Sequence, residues 1–453
     1  MICLMIESYL HQLLSNDFNK VEEAIIQLGE SQDPKAVAPL VRSLLRFEGK
    51  PELKALVCDA LGELNDLRAT QALLSQLRDS SEEVRDSAFT ALFSIGEHRA
   101  NAMPNAELWA QGFAEPQEAL TQIAWQTDLE AVQLLLRALD ENDDELKIAA
   151  LYTLGQLGFV GALGKMTPLL YSTNPEVTVA AVFALGELAR LGSHQTALQV
   201  CQNLHQAWCH GSLTLEAQIQ VLRASAECHS LSAPSQHLLA ELFVLGLEHA
   251  DSTIRQLAVI GLGRLGDDRA VPMLANRLQD QHMGVRRNSA YALAMLHSPD
   301  IPYYLVQNIL DQPSEVRTAI QVALSKCSHE KSLHAVYEAV NSSDARYRAA
   351  SVYLLGSLKD EKGLLKTLQD EDSEVRKSSA LAVGSAKLFR LSHILLSMLD
   401  DPEWRVRAAV SEGLKRLQDP KVSSFLKERR QVESHPVVIS ALESAISSLN
   451  QSF

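Results

Sequence analysis

The chain has 453 residues, with 41 Lys+Arg against 56 Asp+Glu, a formal net charge of −15. Hydrophobic residues make up 46% and aromatics 5%. The apolar share excludes wholesale disorder. Few rings among abundant Ala and Leu argue for helices packed through small side chains, not a β-sandwich or barrel. The negative charge argues against broad nucleic-acid binding, which needs a positive surface.

From the N-terminus, the segment 1–14 is apolar for six residues and then interrupted by Glu7, with neither a basic start nor a small-residue cleavage site. They do not read as a signal peptide. No run of 18 uncharged apolar residues occurs anywhere, so no membrane insertion is expected. Six cysteines without a regular framework do not make a disulfide scaffold and point to a reducing, cytoplasmic setting.

A partial unit then ends in Leu28-Gly29, and from there one pattern recurs along the chain. It runs acidic or small residue, Val or Ile, Arg, then small and apolar residues at helical spacing. The copies are Glu83-Val84-Arg85, Thr253-Ile254-Arg255, Gly284-Val285-Arg286, Glu315-Val316-Arg317, Tyr347-Arg348, Glu374-Val375-Arg376 and Val406-Arg407. From Arg255 onward the arginines are spaced 31, 31, 31, 28 and 31 residues apart. The same ruler reaches Lys54, Lys147, Thr178 and Val438. Internal repetition of this kind decides the fold before any local reading does.

Each unit reads as two helices. In the best copy, 270–278 (AVPMLANRL) forms the first and 285–296 the second, joined by a polar turn. The turn usually carries Asp: Asp79, Asp251, Asp280, Asp311, Asp344, Asp372 and Asp401. Such residues can cap the following helix. The recurring Arg can lean back onto a turn Asp of its own or a neighbouring unit, giving a structural ladder. Six residues after it a small residue recurs (Ala60, Ala91, Ala184, Gly261, Ala292, Ala323, Ala382, Gly413), with Leu-Gly pairs just beyond. Small side chains let helices approach closely.

The motif resembles the HEAT repeat, and more narrowly the HEAT-like repeat of the E/F-type phycobilin lyases and their relatives. Segments 254–267 (IRQLAVIGLGRLGD), 147–158 (KIAALYTLGQLG) and 177–188 carry the resemblance. It implies an all-α fold, a HEAT-type α-solenoid forming a right-handed superhelix of about 13 two-helix repeats. Two irregularities interrupt the array: 99–125, where the ruler fails, and the centre. The expected organisation is an acidic N-terminal arc at 1–192, irregular His- and Cys-rich repeats at 193–249, and a C-terminal arc at 250–453. Residues 1–192 hold 14 Lys+Arg and 28 Asp+Glu, and 250–453 hold 26 and 24.

In the centre, Cys201, His205 and Cys209 follow one helix face, and Cys228 or His229 could complete a soft-metal set. Without a CxxC or His-x₃-His pair, the residues read as a small core thiol and polar caps. No metal and no cofactor is expected. No P-loop, GxSxG or HExxH string occurs, so those nucleotide, hydrolase and zinc-protease chemistries are not indicated.

One stripe on the second helices points to binding. At about 100° per residue from the recurring Arg, positions −1, +3, +6 and +7 define the core face, while +5 falls nearly opposite. Position +5 should be exposed, yet it holds Tyr152, Phe183, Ile260, Tyr291, Val322 and Tyr353. The end units carry Asp59, Thr90, Glu412 and Glu443 there. Arg264, Arg287, Lys326, Lys377 and Arg416 flank the strip. Contiguous exposed apolar surface marks binding sites. The expected function is a non-enzymatic scaffold or assembly factor holding a helical protein partner through this strip. The family resemblance implies an alternative: a bilin lyase or chaperone that binds a linear tetrapyrrole and attaches it to a phycobiliprotein cysteine.

Overall fold

The recurring Arg pattern lies on helices throughout the computed structural model, which describes residues 2–102, 123–227, 232–310 and 312–451. Among these residues there is no strand. They form thirteen helix pairs, and the second helices are labelled here in chain order. They are α1 (Phe18–Glu30), α2 (Pro51–Glu63), α3 (Glu82–Ala102), α4 (Asp144–Gln156), α5 (Pro175–Leu191) and α6 (Leu215–Glu227). Then follow α7 (Ser252–Leu265), α8 (Met283–Leu293), α9 (Ser314–Lys326), α10 (Ala345–Ser357), α11 (Ser373–Ser385), α12 (Trp404–Leu417) and α13 (Pro436–Gln451). The chain divides into two units, Met1–Leu245 and Gly246–Phe453. The first carries 15 Lys+Arg against 31 Asp+Glu, the second 26 against 25.

The turn acids stand before these helices in two distinct positions. Asp251, four residues before Arg255, caps α7 by accepting from the amides of Thr253 and Ile254. Asp344 and Asp372 do the same for α10 and α11. Each satisfies backbone N–H groups that a helix start leaves unpaired. Asp79, Asp280 and Asp401, six residues before their Arg, also bond the amide two residues on, from Ser81, His282 and Glu403, but they lie ahead of the helix start and do not cap it. Those carboxylates are then free to receive the ladder.

Where it forms, the ladder runs from one unit to the next. Arg255 grips both oxygens of Asp280 at 2.8 and 2.9 Å, while its third nitrogen donates to the carbonyls of His249 and Ala250 in its own turn. Arg348 holds Asp370, Arg376 holds Asp401, and Arg407 holds Glu433 in the same bidentate fashion. Lys54 reaches Asp79 at 2.6 Å, and Arg286 donates to the Gln312 carboxamide. Two parallel N–H···O bonds fix orientation as well as distance. The arginine therefore sets the angle between successive pairs, as the sequence led one to expect.

Second helices approach one another through backbone. A Cβ placed on Gly62 would sit 2.8 Å from Ala91 Cα, one on Gly155 2.7 Å from Ala184 Cα, and one on Gly263 2.9 Å from Ala292 Cα. Thus the Gly of each Leu-Gly pair meets the small residue six after the Arg of the next unit. The faces around these contacts are apolar and closed: Val84, Val177, Ile254, Val285, Val316, Val375 and Val406 are fully buried. Gly266 has a different task, ending α7 at φ 70°, a left-handed conformation that glycine adopts without steric cost.

The irregular stretch at 99–125 falls largely outside the described residues, but its flanks are informative. α3 packs directly on α4, where a Cβ on Gly96 would lie 3.0 Å from the Thr153 carbonyl. Across the same junction Arg78 pairs with Asp143 and Glu141 at 3.1 Å, and Arg85 lies 3.5 Å from Glu145. Among the described residues, α3 and α4 are therefore neighbours in the second-helix stack.

The ladder predicts an acid-sensitive end. Hydrogen bonds from Arg407 hold the Glu433 carboxyl down to about 2 from an ordinary 4.5; burial opposes them, and the amides of His435 and Ser434 assist. A folded-state pKa below the unfolded one stabilises at neutral pH, and the gain disappears as pH falls through the folded value. Urea unfolding followed by circular dichroism should show the second unit losing stability between about pH 4.5 and pH 2. Arg407→Gln should flatten that slope; an unchanged slope would remove Glu433 from the explanation.

Candidate functional site

The +5 positions stand where the helical phase places them, but their surroundings differ between the two units. In the first unit Tyr152 on α4 and Phe183 on α5 are half-buried. Their rings pack at 4.9 Å between centroids. Phe93 on α3 lies 6.0 Å from Tyr152 and 6.4 Å from Phe183, and Phe89 lies 5.7 Å from Tyr152. Centroid separations of this kind are attractive in themselves. Burial, and then the nearby Glu176 charge, push the Tyr152 hydroxyl pKa up. Phe89 and Phe93 sit at +4 and +8 from Arg85 and flank the stripe, so the +5 phase alone does not include them.

In the second unit the stripe is open. Tyr291 is 41% exposed, Val322 36% and Tyr353 40%, with Ile260 half-buried. Tyr353 is steered by its hydroxyl, which donates to the Gln321 carboxamide on α9 at 2.6 Å. Leu381 on α11 extends the row and is half-buried. It lies five residues after Arg376, so the same ruler could have found it.

The flanking cations are positioned but not equivalent. Arg264 is exposed near the C-terminal end of α7, and Arg287 is half-buried on α8. The Glu315 carboxyl is held low by its own amide and Ser314, with a contribution from the Arg287 charge. Lys377 is tied to Glu374 on its own helix at 2.8 Å, and Lys326 is exposed. Arg416 bonds Glu412 at 2.9 Å and the Ser385 hydroxyl at 3.0 Å.

A cavity of about 540 Å³ opens on this face between α9, α10, α11 and α12. Arg317, Tyr353, Leu381 and Arg416 line it together with small and hydroxyl side chains. Its volume falls within the range that accommodates bound groups. No acidic side chain is among the lining residues.

In the His- and Cys-rich centre, Cys201, His205 and Cys209 follow one another four residues apart on the helix His194–His210. Cys201 is buried. His205 lies 3.9 Å from Cys209 and 3.6 Å from Glu241, which also receives His237 at 3.3 Å. Cys228 and His229 lie outside the described residues. Among the described residues no group of three or more His, Cys, Asp or Glu is arranged to hold a metal ion. The string 261–266 spells GxGxxG, but its first two glycines are inside α7, where Gly263 abuts Ala292. The dinucleotide fingerprint requires a strand-to-helix turn at that point, so the string is a packing feature here. None of the described helices is long and apolar enough to cross a membrane.

Comparison with known proteins agrees with this architecture. The family model of HEAT repeats matches residues 6–93, 240–325 and 361–447, more than half of the chain. No curated protein matches in sequence. Among solved structures, a chain of the Kap95:Nup1 complex aligns with a TM-score of 0.52 at 13% identity, covering 100% of this chain and 61% of that one. Importin beta in an ammonium sulfate condition aligns with a TM-score of 0.46 at 14% identity, over 98% of this chain and 61% of that one. The present chain therefore spans about three fifths of either, and at these identities the likeness concerns the fold alone. The narrower likeness to phycobilin lyases finds no support in these matches. The chain belongs to the HEAT-repeat family.

Proposed function

We propose that the protein is a non-enzymatic binding scaffold that holds a helical segment of another protein across the second helices of its C-terminal unit. One observation carries this reading: Ile260, Tyr291, Val322, Tyr353 and Leu381 form a half-exposed apolar row, one residue per second helix. The row contributes to neither the ladder nor the small-residue seams, although Tyr353 also bonds Gln321 of the neighbouring repeat. Tyrosine at such a surface offers contact area with little entropy to lose.

The spacing favours a helical occupant. Packed helices stand about 8–10 Å apart, and two turns of an α-helix advance about 10.8 Å. A helix laid across the row would thus meet successive second helices with side chains about seven residues apart. The likeness to a chain found in the Kap95:Nup1 complex is compatible with a protein partner, since that chain is itself in a complex with another protein.

The test is the double variant Tyr291→Asp with Tyr353→Asp. A partner is first identified by crosslinking to the purified chain and confirmed by direct titration. Two central aromatic anchors commonly account for several kcal/mol of binding, so the double variant should weaken Kd by roughly a hundredfold or more, with circular dichroism unchanged. Retained affinity would overturn the groove reading. The same face would serve a bilin carrier, the second reading. A red-shifted, sharpened visible band on adding a bilin would favour it, and an unchanged spectrum would discard it.

A further inference from the structure

Arg317 departs from its series. The ladder arginines Arg255, Arg348, Arg376 and Arg407 are 5, 9, 16 and 14% exposed in their side chains, each clamped on a carboxylate of the following turn. Where that carboxylate should follow Arg317, the chain has Ser342, six residues before Arg348. Ser342 offers no carboxylate: its carbonyl accepts from Arg348 and its hydroxyl from the Asp344 amide. Arg317 is accordingly exposed, its guanidinium has no ion pair or hydrogen bond among the described residues, and it lines the 540 Å³ cavity on the apolar face.

We infer that this cavity is a receptor for a carboxylate side chain of the partner segment, with Arg317 as its anchor; the inference rests on the groove reading above. The position is one at which the fold ordinarily seats an acid against this arginine, and here the acid is missing from the chain. A partner aspartate or glutamate would complete the rung in trans. Arg416 adds positive potential from the opposite wall, though Glu412 partly neutralises it. Leu381 and Tyr353 border the same space, so an apolar residue next to the acid has a surface to cover. The recognised element is therefore an acidic residue adjacent to an apolar one within a peptide segment. Arginine suits the task because its planar fork pairs with both carboxylate oxygens.

The experiment uses the full chain and a displayed library of random 12-residue peptides. Clones enriched on the wild-type protein should carry Asp or Glu beside a large apolar residue. As synthetic peptides they should bind Arg317→Gln roughly ten- to a hundredfold more weakly, the effect of losing a charge-assisted pair. The wild-type affinity should also fall as salt rises. Arg317→Lys should recover part of the loss. Since Arg317 has no partner among the described residues, thermal unfolding of Arg317→Gln should match wild type.

Two failures are distinguishable. If enriched peptides show no acidic preference, or bind Arg317→Gln as well as wild type while Tyr353→Asp abolishes their binding, the groove stands and the carboxylate receptor falls. If no peptide enriched on the wild type is sensitive to Tyr353→Asp, both readings fall together.

Discussion

Arg255→Ala should destabilise the C-terminal unit by about 3–5 kcal/mol, the usual cost of removing one partner from a buried ion pair. Arg255 and Asp280 are 5% and 4% exposed in their side chains. Removing the guanidinium leaves the Asp280 carboxylate with the His282 amide and the more distant Arg277, which lies 3.9 Å away. It also leaves the His249 and Ala250 carbonyls without their shared donor. Urea unfolding near neutral pH measures the loss. Arg255→Ala combined with Asp280→Ala should be less damaging than the single change, because no uncompensated charge then remains buried.

The pH dependence of that loss has a definite sign. Burial pushes the Asp280 carboxyl up, but hydrogen bonds from Arg255 and the His282 amide, and the charges of Arg255 and Arg277, outweigh it and hold it below its ordinary 3.8. In the wild type this stabilisation is complete above 3.8 and fades as pH falls through the lower folded value. In the variant the carboxyl takes up a proton more readily, which removes the buried charge. The gap between the two proteins should therefore narrow in acid. A constant gap, or a loss below about 1 kcal/mol at neutral pH, would show that the rung is ornamental. Arg317→Ala is the natural contrast. With no rung to break among the described residues, it should stay within about 0.5 kcal/mol of wild type.

The ladder also shows how far the chain could be read in advance. The 31-residue spacing from Arg255 to Arg348 made the repeat visible, because a unit that stacks on copies of itself must repeat its buried positions. The turn acids were harder. Asp251 and Asp280 look alike in composition, yet one caps its own helix and the other receives the preceding unit's arginine. Their offsets of four and six from the next arginine separate them. The absence of an acid at Ser342 gains its meaning only through that distinction. The stretch at 99–125 was recognisable as irregular, but the direct packing of α3 on α4 depends on Gly96 and Thr153, which share no motif.

The stripe illustrates the limit of a helical projection. Phase alone predicts which side chains leave the core, and Tyr291 and Tyr353 do stand 41% and 40% exposed. It carries no information on distance between neighbouring helices. Tyr152 and Phe183 share that phase but rest against each other and Phe93. The cavity could not be read either, because it arises from side chains on four helices brought together by packing.

Gly384→Val should cost roughly 3 kcal/mol, at the upper end of the usual range for overpacking. A Cβ at Gly384 on α11 would stand 2.3 Å from the Gly413 carbonyl oxygen and 2.7 Å from Gly413 Cα on α12. Every atom it meets is backbone, so no rotamer change can make room and the helices must part. Helix propensity works in the other direction, favouring almost any side chain over glycine by up to about 1 kcal/mol. The sign of the measured change therefore decides which effect governs. Gly164→Ala supplies the control: nothing lies within 4 Å of a Cβ there, and stability should hold or rise by a few tenths to about 1 kcal/mol. Urea unfolding of both variants makes the comparison, and a Gly384→Val protein as stable as wild type would mean that the seam between α11 and α12 tolerates separation. The same seam forms one side of the cavity, through Leu381 on α11 and Arg416 on α12. Parting it moves Arg416 away from Ser385 and widens the space facing Arg317. Peptides selected by the wild-type cavity should consequently bind Gly384→Val more weakly even under conditions where the variant remains folded.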